Sequence, residues 1–146
     1  MKKAPQATLR EHQAMNPEKK VMTLTKAEGA LRQINAAIEA FWRGDFDIAI
    51  TLSGAAEGML ERKEADLFLH MREASRVQHV PKKEWIGTLN QERDWLKHNN
   101  SEHSDTAEIH RGAAAFMIAR AASKLENWPP QIEEFRDWLI NNLDDL

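Results

Sequence analysis

A chain of 146 residues, 42% hydrophobic and 29% charged, is long enough to bury an adequate core as one globular domain. Its net charge of −3 argues against a general nucleic-acid coat, which needs a basic stripe, but leaves room for a local basic site. The absence of cysteine excludes disulfides and thiolate metal sites. No apolar segment follows Lys2 and Lys3 and no run reaches membrane-spanning length, so a cytoplasmic protein with no membrane partner is expected.

Residues 1–22 are polar, mixed in charge and without apolar period, and read as a loose tail; a single domain is expected over 23–146. Order is expected to begin at "TKAEGALRQINAAIEAFWRG". Thr25 and Glu28 match a capping box, Leu31, Ile34, Ile38 and Phe41 recur at helical spacing, and Gly44 supplies the stop. In "DFDIAITLSGAAEGMLERKEA" the stripe Ile48, Leu52, Ala55 and Met59 defines the expected inner face of a second helix. Its Gly54, Ala55, Ala56 and Gly58 point to close backbone packing. "EADLFLHMREASRV" reads as a shorter helix with Leu67, Phe68 and Met71 inward.

Pro81 suits the first turn of the next helix, which carries "KKEWIGTLNQERDWLKH" before the polar loop "HNNSEHSD". A further helix is expected to start at Asp105 or Thr106 with Glu108 in its first turn, facing inward with Ile109, Ala113, Phe116 and Met117. "PPQIEEFRDWLINNL" opens on a proline pair and buries Ile132, Phe135 and Leu139. Trp42, Trp128 and Trp138 are expected to cap the core or meet a second copy. No stretch alternates with period two, so the fold class is all-α, a compact bundle of five to six helices.

The chemistry concentrates in "NQERDWLKHNN". Trp85, Ile86, Leu89 and Leu96 share a helix face, with Arg93 at its edge beside Asn90, Asp94 and Lys97. Asp94 and His98 are four apart and can face each other, which favours the imidazolium. Cleavage of a phosphodiester by its own 2′-hydroxyl needs proton carriers and a cation for the charged transition state. Histidine and arginine supply these without a metal. The alternative is structural: Arg93 lays its stem over apolar surface and pairs with Glu57 or Glu92, and His98 meets the carbonyl end of its helix.

Arg93-Asp94-x-x-x-His98 resembles the R-x(4–6)-H motif of the HEPN superfamily. "LNQERDWLKH" is similar to an "LN..RN.LKH" pattern in small bacterial helical proteins of no assigned activity. These also resemble the chain at "GDFDIAITLSGAAEGML" and "MIARAASKLENWPPQIEEFRDWL", so the likeness spans about residues 25–142. HEPN proteins are helical bundles that commonly dimerise. Many are metal-independent endoribonucleases in toxin–antitoxin, phage-defence and RNA-processing systems, with two motifs facing across the dimer.

The resemblance therefore implies a homodimer acting on RNA without a cofactor. Arg93 would sit on the scissile phosphate, His98 would transfer protons, Asp94 would orient it and Lys97 would add positive charge. Asn90 and Arg120 are candidates for the same cleft; a snorkelling surface position is the other reading of Arg120. The rival implications are a non-catalytic HEPN-like dimerisation module binding a protein partner or nucleotide, and an antitoxin-type interaction protein. Position 94 is Asp where the family most often has Asn. The absence of tyrosine excludes the nucleotidylation control known for some HEPN toxins. His98, Glu102, His103 and His110 match no metal-ligand spacing, so no metal is expected.

Overall fold

A computed structural model describes residues 18–61 and 82–146, with side chains from residue 90 onward in the second stretch. The helix expected over 64–77, the side chains of Trp85, Ile86 and Leu89, and residues 1–17 of the expected tail lie outside the described residues. The fold is an all-α bundle, with no strand among the described residues.

Helix α1 spans Lys26–Trp42 and begins at the expected cap: the Thr25 hydroxyl accepts the Glu28 amide at 3.0 Å, the one half of the expected capping box that forms among the described residues. Ile34, Ile38 and Phe41 are buried, each worth roughly 1.5–3 kcal/mol of transfer free energy. Gly44 reverses the chain at φ 83°, a region that side-chain-bearing residues avoid. Helix α2, Phe46–Met59, returns against α1, its most extensive neighbour.

The expected inner face of α2 needs correction. Ile48 and Ala55 are exposed and Leu52 and Met59 only partly buried. Ala49, Ile50, Ser53, Gly54, Ala56 and Glu57 point inward instead. Small side chains let the two helix backbones approach, and this outweighs the larger apolar area of the Ile48 stripe. The buried Ser53 hydroxyl is satisfied within the helix by the Ala49 carbonyl at 2.5 Å.

Helix α3, Lys82–Lys97, packs on α2 and on α4, which spans Arg111–Ala122. The expected start of α4 at residues 105–106 is also corrected: residues 106–110 are not helical and the helix begins at Arg111. The His110 amide is taken by the Glu92 carboxylate of α3 at 3.1 Å, so a long-range partner sets the helix start. Ala114, Ala115, Met117, Ile118, Ala119, Ala121 and Ala122 are all buried, which makes α4 the central helix. Helix α5, Pro130–Asn141, opens on its proline and buries Ile132, Phe135 and Leu139 as expected. A 3₁₀ turn, Leu143–Asp145, follows. Trp138 stands edge-on to Trp42 and Phe41 at centroid distances of 5.3 and 5.1 Å, closing one end of the bundle. Among the described residues no helix is long and apolar enough to cross a membrane.

Candidate functional site

Where α2, α3 and α4 meet, their charged side chains converge on one carboxylate. Glu57, in the last turn of α2, is 9% exposed. Its Oε1 accepts Arg120 Nε of α4 at 2.9 Å and Lys124 Nζ at 3.3 Å. Lys124 also donates to the Glu57 carbonyl at 3.1 Å, a cation at the negative end of α2. The other oxygen, Oε2, faces Arg93 Nη1 at 3.6 Å. Burial pushes the Glu57 carboxyl upward, but the charges and hydrogen bonds of Arg120 and Lys124 outweigh it, and the group lies below its ordinary value. Cations outnumber the carboxylate, so the cluster stays positive although the whole chain is acidic.

Arg120 is therefore neither a surface arginine nor remote from Arg93. Its Nη1 donates to Asn90 Oδ1 of α3 at 2.7 Å, and its side chain is 14% exposed. Arg93, Asn90 and Arg120 are brought together as three neighbours of one cluster.

Arg93 itself is held differently. Its side chain lies over Gly54 so closely that a β-carbon there would come within 3.1 Å of Nε. The ion pair to Glu57 is long, and no guanidinium N–H of Arg93 makes a hydrogen bond to another described residue. The Arg93 side chain lines a small, largely apolar pocket of about 160 Å³ with Thr51, Gly54, Ala55, Leu96 and Lys97. Lys97 thus shares a pocket with Arg93.

His98 does not join them. It is exposed just beyond α3, with its amide on the Asp94 carbonyl at 3.0 Å, and it lines none of the described grooves. Asp94 is exposed, and its carboxylate makes no hydrogen bond to His98 among the described residues. Glu92, the other carboxylate offered to Arg93 by the sequence, is taken by His110. No group of three His, Asp or Glu side chains is arranged to hold a metal ion among the described residues.

Sequence reasoning missed Glu57 as the hub and Lys124 altogether. Glu57 sits within "SGAAEGM", where one charge between small residues on a buried helix face was the available signal. Lys124 follows the end of α4 and carried no signal of its own. The fold and the site together define a small all-α bundle with a cationic cluster built around a buried glutamate. No family model, curated protein or solved structure matches the chain.

Proposed function

We propose that the protein is a HEPN-like helical bundle that takes an RNA phosphate at Arg93 and, as a two-fold dimer, cuts the neighbouring bond without a metal. The observation that carries this reading is the state of Arg93. Gly54 and Glu57 hold its side chain in place, yet its N–H groups make no hydrogen bond to another described residue, and the side chain borders a small pocket with Lys97. A planar guanidinium so presented is a ready fork for phosphate oxygens. His98 supplies the proton transfer. Because it lies off this pocket in its own chain, the reading requires the His98 of a second copy to complete the site.

A non-catalytic binding module is the second reading, and specific observations favour it too. Arg93 has a carboxylate partner in Glu57, and His98 lines none of the described grooves and has no hydrogen bond to the Asp94 side chain.

The test is incubation of purified protein with single-stranded RNA in EDTA. The expected result is cleavage leaving a 2′,3′-cyclic phosphate, with DNA untouched because the nucleophile is the substrate's own 2′-hydroxyl. His98→Ala is expected to slow it by about 10²- to 10⁴-fold. Binding of RNA without cleavage moves the assignment to the binding module. Equal cleavage by wild type and His98→Ala marks a contaminant.

A further inference from the structure

The segment from His98 to His110 joins α3 to α4 without regular structure, and two side chains of α3 hold it, Trp95 and Glu92. The Trp95 indole donates to the Ser104 carbonyl at 2.9 Å. Farther along, Glu92 Oε1 accepts both the His110 backbone amide, at 3.1 Å, and the His110 ring nitrogen Nδ1. Between these anchors runs a groove of about 900 Å³, walled by Trp95, Phe116 and Ala113 and bordered by Glu92 and His110. The Glu92 side chain is 12% exposed, whereas His110 is 66% exposed and in contact with solvent protons.

We infer that the Glu92–His110 pair is a pH-sensitive clasp, fixing the 98–110 segment and the start of α4 to α3 when His110 is protonated and loosening them when it is not. His110 is the N-cap residue of α4 and its side chain makes no capping bond there. An imidazolium at that position faces the positive end of the helix dipole, so it is held only because the Glu92 carboxylate lies against it. On loss of the proton a neutral ring still donates one hydrogen bond, but the charge attraction goes. So does the contact of Nε2 with Glu108, 3.6 Å away in the same segment.

The bond to Glu92 and its charge raise the His110 pKa above its ordinary value, and Glu108 adds to this, so the change falls above about pH 6.5. The other titratable side chains lining the groove are Glu102 and His103 of the segment itself. On α4, the neighbouring Arg111 donates to the Asp145 carbonyl. The clasp itself does not depend on whether RNA is cut.

The experiment is an NMR titration of the full chain, following the His110 ring protons and the exchange protection of the 99–110 amides after correction for intrinsic base catalysis. In wild type, His110 should titrate above about 6.5, and protection of its amide should fall several-fold through the same midpoint. Glu92→Gln keeps an oxygen for that amide but removes the charge. It should return the midpoint to the ordinary range or below, and make protection independent of pH there. Glu108→Gln, at an exposed position, should shift the midpoint less. If Glu92→Gln fails to fold, the wild-type titration with Glu108→Gln still decides the matter. A His110 midpoint at the ordinary value, or a raised midpoint with unchanged amide protection, overturns the clasp.

Discussion

At the scale of single residues, Arg93 and Arg120 separate two jobs that look alike in the sequence. Arg120 is hydrogen-bonded to buried Glu57 and to Asn90, whereas Arg93 touches Glu57 only at 3.6 Å. Arg120→Ala should therefore cost about 2–3 kcal/mol in chemical denaturation, because it strips a charged hydrogen bond from a buried carboxylate. Arg93→Ala should cost less than Arg120→Ala, because its ion pair to Glu57 is long and carries no hydrogen bond. On the proposed function it should nonetheless abolish RNA binding. The reverse order of stability losses would make Arg93 the structural member and remove the phosphate site. Glu57 adds a pH dependence. Its folded-state pKa is depressed, so its contribution to stability is present above the ordinary value of 4.5 and is lost as pH falls through the folded value. Acid unfolding curves of wild type should thus be steeper than those of Glu57→Gln. Parallel curves would show that the carboxylate is not held by its cations.

At the scale of elements, legibility followed the size of the packing side chains. Helices α1 and α5 bury Ile34, Ile38, Phe41, Ile132, Phe135 and Leu139, and large apolar residues at helical spacing announce such a face. Helix α2 hides its face because Ala49, Ser53, Gly54 and Ala56 weigh little on any hydropathy count, while Ile48 stands 43% exposed. The start of α4 was illegible for another reason. The carboxylate that fixes it belongs to α3, 18 residues earlier, and Asp105 and Thr106 offered a plausible local cap that is not used. The Glu57 cluster is of the same kind, since its partners lie on α3, on α4 and just beyond α4, and only the fold makes them neighbours.

Two glycines on this frame should respond differently to alanine. A β-carbon at Gly29 meets only the end of the flexible Met59 side chain, at 2.9 Å, and Leu24 at 4.0 Å. Gly29→Ala should raise stability by up to about 1 kcal/mol through helix propensity once that methyl swings aside. A β-carbon at Gly54 meets Arg93 at 3.1 and 3.3 Å along the middle of its side chain. Gly54→Ala should leave the melting temperature level or higher while weakening RNA binding, because the Arg93 side chain must shift to make room for the methyl group. Unchanged RNA affinity in a well-folded Gly54→Ala protein would show that the placement of Arg93 does not matter to the ligand.

At the scale of the whole molecule, the question is whether one chain carries a complete site. Within a chain, Arg93 and Lys97 share a pocket and His98 lies outside it. A catalytic reading therefore needs the His98 of one copy to serve the Arg93 of another, and light scattering at micromolar concentration should report twice the monomer mass. Complementation is a sharper test. Arg93→Ala and His98→Ala homodimers should each be inactive. When the two are mixed and allowed to exchange subunits, a heterodimer holds one intact Arg93 and one intact His98 on different chains. If the site is shared across a two-fold interface, one of its two sites is whole. Random exchange makes half the population heterodimers, so about a quarter of wild-type activity should return. If the site lies within one chain, neither subunit is intact and no activity returns. Exchange can be verified independently by tagging one variant and recovering the other with it. Verified exchange without recovered cleavage, or a monomer in the scattering experiment, would remove the shared site and leave the cluster around Glu57 as the core of a binding module.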